Sequence, residues 1–340
     1  MATKNAFPTV AVPTSDGMPN VMMMDAASIA GGMAFLVGEL EKRDEKLHEP
    51  LTSITWARDM PVKTGGGWVD SVSVFDVSYA SEGGQDGGLM GGETNDLPMI
   101  QADIGKDTYK VFQWGHILKV PLIDQAKLQK IGRSLDEVLN KGLHLVHDKM
   151  IDRSVYIGFA DRGSYGLVND PGITTVTAAP HTVGGTDTQW KYKSPDEILE
   201  DVNRAILGTW EASEYDLSGM ANHILLPPEQ YAYIVKTKVG VTGDKSILTY
   251  LLENNIGHNQ GEDPFIAPSV WCKGAGTGSS DRLVAYRNDI DRVRFDITVP
   301  LQRLLTQASA RDMAYLTPYV TQFSELQWPY RQHAMYIDGI

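Results

Sequence analysis

The segments WVDSVSVFDVSY (68–79) and VFQWGHILKV (111–120) decide how the rest of the chain is interpreted. Apolar residues alternate with polar ones in both segments, which predicts two β-strands. In the first segment the apolar side chains change face between Val74 and Phe75, and this phase slip predicts a β-bulge. The two strands therefore define a hairpin with one local irregularity.

A glycine-rich stretch separates the two strands and predicts the flexible tip of a long two-stranded arm. Its glycine pairs are Gly83, Gly84, Gly87, Gly88, Gly91 and Gly92. An arm this long cannot bury both faces on its own domain, and exposed apolar arms mark assembly surfaces. The side chains predicted to contact other subunits are Trp68, Phe75, Tyr79, Phe112 and Trp114, together with Met33, Leu36 and Leu40 of the preceding helix.

The residues before the hairpin predict an extended arm followed by one helix. Prolines punctuate residues 1–24 and prevent regular helix there. Asp25 can cap a helix whose apolar residues recur at spacings of three and four until Pro50 ends it. Such an arm docks either on its parent domain or on a neighbouring subunit, and the pattern does not choose between them.

The clearest helix of the sequence follows the hairpin. Ser134 and Glu137 form a capping box, and the pattern predicts a helix over 134–159. Its expected apolar stripe comprises Leu135, Val138, Leu139, Leu143, Val146, Met150 and Ile151.

An α/β pattern begins at about residue 194. Ser194, a proline and Glu197 predict a capped helix, and a second helix, SILTYLLENN (246–255), is expected to end at Gly257. The predicted strands are HILLPP (223–228), LVAY (283–286), RVRFDITV (292–299) and AMYIDGI (334–340). The fold class predicted for the whole chain is α+β.

Composition excludes several classes of protein. A formal net charge of −13 argues against broad nucleic-acid binding, which requires basic grooves. Cys272 is the single cysteine, which excludes an intrachain disulfide and a cysteine-rich zinc site and favours a reducing compartment. We expect it on an apolar strand as a small buried side chain. The sequence shows neither a signal peptide nor a membrane span.

Motifs with catalytic potential are weak. His144, His147 and Asp148 share one side of the long helix, a spacing that can hold a metal, but the HExxH glutamate and a third ligand are missing. The GAGTG loop (274–278) precedes a strand where a dinucleotide site needs a helix, and GVTGDKS (240–246) has the wrong glycine spacing for a P-loop. We therefore expect no enzyme, no metal and no cofactor.

The sequence resembles the major capsid proteins of tailed phages, which share the Johnson fold. The resemblance spans about residues 50–340. It lies in the long helix running into YGLVNDPGI, in HILLPPEQYAYI, in SILTYLLENN, and in DRLVAYRNDIDRVRFDITVPLQRL continuing into QWPYRQHAMYIDGI. This resemblance implies a structural protein that self-assembles into an icosahedral shell around double-stranded DNA.

The resemblance also implies a division of the chain. Residues 1–50 correspond to an N-terminal arm, 51–121 to the extended loop with its flanking strands, and 122–193 to the spine helix and peripheral domain. Residues 194–310 correspond to the axial domain, and 311–340 to strands that return to the peripheral domain.

The implied partners are other copies of the chain, in hexamers and pentamers, with portal, scaffolding and decoration proteins. DNA would be enclosed without sequence-specific binding, no membrane would be involved, and virions would assemble in the cytoplasm of a bacterial host. Some relatives cross-link through a lysine near the loop tip, but no lysine lies between Lys63 and Lys106, so we expect no such bond.

Some relatives also carry a fused scaffolding segment of about a hundred residues ahead of the arm, and the short segment here favours a separate scaffolding protein or none. Two alternatives to the phage capsid stay open at this point. One is an encapsulin-like protein compartment of the same fold, and the other is a metal-dependent hydrolase built on the two histidines and the aspartate.

Overall fold

Helices and sheets are interleaved along the chain, which confirms the α+β prediction. The computed structural model describes residues 52–81, 99–124, 135–182, 185–240 and 245–340, and its elements belong to a unit extending from Ser53 to Ile340. The predicted arm, with Met33, Leu36 and Leu40, and the glycine-rich tip lie outside the described residues.

The helices are α1 (Trp56–Asp59), α2 (Leu135–Tyr156), α3 (Pro195–Ala212), α4 (Pro228–Lys236), α5 (Ile247–Asn254) and α6 (Ile256–Asn259). The strands are β1 (Val62–Thr64), β2 (Ser71–Ser81), β3 (Ile100–Pro121), β4 (Thr174–Thr177), β5 (His223–Leu226), β6 (Phe265–Pro268), β7 (Arg282–Tyr286), β8 (Phe295–Ile297), β9 (Val299–Arg303), β10 (Gln307–Ser309), β11 (Ala314–Ser324) and β12 (Ala334–Asp338). Short 3₁₀ turns occupy Ala160–Arg162, Trp190–Tyr192, Leu217–Gly219, Val270–Cys272, Thr277–Ser279 and Arg331–His333.

The long strand β3 belongs to two pairings in succession. Its first half pairs with β2 in an antiparallel register that runs without a shift from Ser71 opposite Lys110 to Ser81 opposite Ile100. Its second half pairs with β11, beginning at Val111 opposite Ser324. The predicted β-bulge is therefore wrong, because the ladder is continuous through Val74 and Phe75.

Helix α2 packs against the second half of β3. Leu118, Val120, Leu143 and Tyr319 form a small core between this helix and the sheet. The helix covers most of the predicted stretch 134–159. Val138 and Val146, which the sequence assigned to the buried stripe, are instead exposed, because a helix of 3.6 residues per turn places them beside that stripe.

A second sheet has the strand order β4-β12-β7-β5-β6, and helix α3 packs against β12. The predicted capping box of α3 is present, since Ser194 and Glu197 bond reciprocally. Helix α5 ends earlier than predicted, at Asn254, and Gly257 lies inside α6. The physical reason is Asn255, whose side-chain oxygen accepts from the backbone N–H of His258 at 2.7 Å and starts a new helix.

The predicted strand RVRFDITV is divided into β8 and the beginning of β9, and its apolar residues Val293, Phe295, Ile297 and Val299 are all buried. Cys272 is buried as predicted, but it lies in a 3₁₀ turn after β6 and not on a strand. Strands β7 and β12 are joined by a buried ion pair, in which Arg282 Nε donates to Asp338 Oδ1 at 2.6 Å.

Candidate functional site

The β2–β3 hairpin carries an exposed row of apolar side chains on one face, here called the apolar stripe. Residues directly opposite each other in an antiparallel ladder share a face. Val77 lies opposite Ile104, Tyr79 opposite Ala102, and Phe75 opposite Lys106. The exposed fractions of the stripe are 65% for Phe75, 50% for Val77, 76% for Tyr79, 75% for Ile100 and 67% for Ile104.

A lysine borders the stripe at its inner end. The Lys106 ammonium lies 5.9 Å from the centre of the Phe75 ring, within the range of a cation–π contact. Beyond this residue the described residues of this face are apolar except for Ser81. Exposed apolar surface of this extent on a two-stranded arm is typical of a protein–protein contact.

The opposite face of the hairpin is acidic. Asp76, Asp103 and Asp107 alternate with the stripe residues and are exposed. Among the described residues, none forms an ion pair with these three carboxylates. Burying a charged side chain costs free energy because the charge loses its hydration. The apolar face is therefore suited to burial against another protein, and the acidic face is suited to contact with solvent.

Three hydrogen bonds from two residues fix the root of the hairpin to the body of the subunit. The Tyr109 O–H donates to the backbone oxygen of Trp328 at 3.0 Å, and burial is the largest factor that raises the pKa of this tyrosine. Lys110 Nζ donates to the backbone oxygen of Arg162 at 2.7 Å, while the Lys110 N–H donates to Glu325. The hairpin therefore projects from a fixed base.

Three of the predicted contact residues lie on the exposed surface. Phe75 and Tyr79 belong to the stripe, and Trp68, in the loop before β2, is 56% exposed. Two others do not. Phe112 lies in the subunit's own core, with its ring 5.1 Å from that of Phe159, and Trp114 is half-buried against the same core. The reason is that the second half of β3 is covered by the helical side of the subunit.

The sequence missed three stripe residues, Val77, Ile100 and Ile104. The alternation in β2 indicated Val77, but the two isoleucines require the hairpin register, which places them on the same face. Three other exposed apolar side chains were also missed, namely Ile117 at 62%, Leu305 at 86% and Met313 at 59% exposure.

The histidine motif of α2 does not form a metal site. His147 is buried, stacks edge-on against Trp114 and has an unpartnered Nε2, while its Nδ1 lies 3.1 Å from Asp148. His144 points to the exposed side of the helix. Across the described ranges, no group of three or more histidine, cysteine or carboxylate side chains is arranged to hold a metal ion.

The other candidate sites, Cys272 and the glycine loop, also lack the environment that their chemistry requires. Burial raises the pKa of the Cys272 thiol to about 12, so it is not a nucleophile at neutral pH. The glycine loop at 274–278 leads through a 3₁₀ turn into the strand β7, and not into the helix that a dinucleotide-binding loop requires. Within the described part of the chain, no helix combines the length and apolar character of a membrane span.

The fold is that of phage capsid subunits. A chain from the capsid of Myoviridae phage XM1 superposes with a TM-score of 0.73 at 16% identity, covering 89% of this chain and 98% of that one. A chain from Microbacterium phage Oxtober96 gives a TM-score of 0.58 at 13% identity, covering 87% and 92%. A chain from the capsid of the native GTA particle gives 0.58 at 11% identity, covering 93% and 99%.

The model of the family described as "Major capsid protein" matches residues 85–340, which is most of the sequence. No curated protein sequence matches the chain significantly. The chain belongs to the major capsid protein family, whose members are structural proteins of the virion shell, and the predicted resemblance is confirmed.

Proposed function

We propose that copies of this chain close into an icosahedral shell around the double-stranded DNA of a tailed phage, and that the β2–β3 hairpin of each copy lies on a neighbouring subunit. The observation that carries the proposal is the apolar stripe, which is exposed on the subunit and faces away from the acidic side of the hairpin. The second copy supplies the surface that buries it.

The stripe is sufficient to drive a repeated contact. Full burial of a large apolar side chain stabilises by roughly 1.5–3 kcal/mol, so burying the exposed part of each stripe residue contributes about 1–2 kcal/mol. Side-chain ordering and the loss of rigid-body freedom offset much of this gain. The net contact is modest, and modest contacts repeated around a closed shell allow misplaced subunits to dissociate and rebind.

The remaining contacts follow the same division of the chain. Hexamers and pentamers would form through the part from 194 to 310, and the exposed side chains of Ile117, Leu305 and Met313 would provide further apolar contacts. The formal net charge of −13 suits a shell that encloses DNA without binding it tightly. Portal, scaffolding and decoration proteins would join assembly in the bacterial cytoplasm.

The test combines particle size with a matched pair of variants. Val77→Ser with Ile104→Ser removes two cross-strand neighbours from the stripe, while Ser78→Ala alters the opposite face at the adjacent position. Light scattering on a sizing column, with electron microscopy of the peak, measures assembly. Urea unfolding measures the stability of the separate subunit.

We expect megadalton particles for the unaltered chain and for Ser78→Ala. The stripe variant should stay unassembled while its subunit unfolds at an unchanged urea concentration. Shells of full size from the stripe variant would contradict the hairpin assignment. A chain that never exceeds a dimer, even with a co-expressed scaffold, would contradict the shell itself.

A further inference from the structure

A notch of about 240 Å³ separates the root of the hairpin from the body of the subunit. One wall belongs to the hairpin and consists of Val74, Phe75, Asp76 and Asp107. The other wall belongs to the body and consists of Asp291, Arg292, Arg294, Pro329 and Tyr330. The two walls face each other across open space.

The walls carry opposite charges. Asp76 and Asp107 have no ion-pair partner among the described residues, so the hairpin wall is negative. The body wall carries two guanidinium groups and the carboxylate of Asp291, and because Arg294 already pairs with Asp296 at 3.8 Å, the positive charge of this wall lies mainly on Arg292. No ion pair within 4.0 Å joins the described residues of one wall to those of the other.

The two arginines are held in place by the body. Arg292 Nη2 donates to Ser218 Oγ at 2.9 Å, and the guanidinium lies 4.8 Å from the centre of the Tyr330 ring. Arg294 Nε donates to Gln327 Oε1 at 2.9 Å, with Asp296 at 3.8 Å. The two arginines of the body wall are therefore fixed in position opposite the aspartates of the hairpin wall.

Beyond the contacts at its root the hairpin is a ribbon of two strands, and the residues just before β2 are held to the body at Val69, which bonds to the Gln322 side chain through both its N–H and its carbonyl oxygen. Up to Lys110, β3 pairs only with β2, and the pairing with β11 begins at Val111. A two-stranded ribbon twists more readily than a larger sheet, so the hairpin can approach the body without moving its root.

We propose that the notch is an ionic latch, in which Asp76 and Asp107 close onto Arg292 and Arg294 and so set the angle at which the hairpin leaves the subunit. Closing brings the acidic face toward the body, and of the stripe residues Phe75 is the one that also lines the notch. Salt screens the latch, because the Debye length falls from about 10 Å at 0.1 M to about 3 Å at 1 M. The latch is intrinsic to one subunit and does not require the shell.

The test is a disulfide trap across the notch in the full chain. Val74→Cys with Pro329→Cys places one uncharged thiol on each wall, and Cys272 does not compete because its thiol is buried. A disulfide forms only when the two Cα atoms come within about 7 Å. We expect trapping to be at least about threefold slower at ~1 M than at ~0.1 M salt.

Two backgrounds distinguish the latch from a general effect of salt. Adding Asp76→Asn and Asp107→Asn should abolish the salt dependence, whereas Asp103→Asn, on the same face but outside the notch, should preserve it. If the double cysteine variant does not fold, the reactivity of Val74→Cys toward a maleimide, lower in dilute salt, gives the same information. Equal rates in all backgrounds would overturn the latch, and so would disulfides that form only between subunits.

The rate of disulfide formation is measured both on unassembled subunits and on assembled particles. Salt-dependent trapping in subunits that never assemble would leave the latch standing while the proposed function fails. Shells that form without any salt dependence of trapping would leave the proposed function standing while the latch fails.

Discussion

His333 is expected to make the subunit sensitive to acid. Its ring is buried and stacks on Tyr330 at 5.3 Å between ring centres, and its Nδ1 has no hydrogen-bond partner. Its pKa is lowered from an ordinary value of 6.5 to about 4, chiefly by burial and also by the positive charges of Arg292 and Arg287, while Asp216 opposes them. The folded subunit therefore holds this histidine neutral.

The magnitude follows from the difference between the folded and unfolded states. A shift from 6.5 to about 4 corresponds to about 3 kcal/mol, at 1.36 kcal/mol per pH unit. Because the folded pKa is the lower one, the unfolded chain binds the proton first as the pH falls. Stability is intact above pH 6.5 and is lost between pH 6.5 and 4, with about 2 kcal/mol gone at pH 5.

The perturbation is His333→Phe, which keeps a ring to stack on Tyr330 and removes the titrating nitrogen. Urea unfolding at pH 7 and pH 5 gives the change in the free energy of unfolding for each protein. We expect this change to be smaller by about 2 kcal/mol in the variant than in the unaltered chain. His144→Gln, at an exposed position, is the control and should behave like the unaltered chain.

The comparison uses a difference between two pH values, so a uniform loss of stability from the larger Phe ring does not affect it. If His333→Phe loses as much stability on acidification as the unaltered chain, the buried neutral histidine is not the cause. The acid sensitivity would then belong to other groups, and the reasoning from burial would be refuted.

Four further variants test the structure of the subunit by urea unfolding. Phe112→Ala should lose about 3–5 kcal/mol, whereas Phe75→Ala on the stripe should change stability by less than about 0.5 kcal/mol; similar losses would contradict the corrected placement of Phe112. Asp338→Asn leaves the buried Arg282 without its carboxylate and should cost about 3–5 kcal/mol, and a loss below about 1 kcal/mol would argue against a buried pair. Ser194→Ala removes a helix cap and should cost about 0.5–2 kcal/mol; no loss would indicate that the cap is dispensable.

Local patterns predicted the elements whose signals lie within a few residues. The capping box at Ser194 and the long helix through Ile151 were both predicted, because hydrogen bonds at a helix start and an apolar stripe are local properties. The boundary at Asn255 was missed, since glycine and asparagine both end helices and only the three-dimensional structure shows which residue caps the next one.

The candidate site could be predicted only in part. Alternation showed that β2 has two faces, but not which residues of β3 share the apolar one, because that depends on the register between strands separated by undescribed residues. Phe112 was assigned to the surface for a related reason. Strand β3 is mostly exposed in its first half and contributes core residues in its second half. The sequence pattern does not mark the point at which burial begins.

The shared strand has a mechanical consequence. In antiparallel ladders the hydrogen bonds run perpendicular to the strands. A force that pulls the hairpin along its axis therefore acts on the hydrogen bonds between β2 and β3 as far as Lys110. From Val111 onward it acts on the hydrogen bonds between β3 and β11. Both ladders meet this tension in shear, with many bonds stretched together, and neither is peeled open one bond at a time. When internal pressure stretches a closed container built from such units, the hairpin and the body resist as one continuous tie.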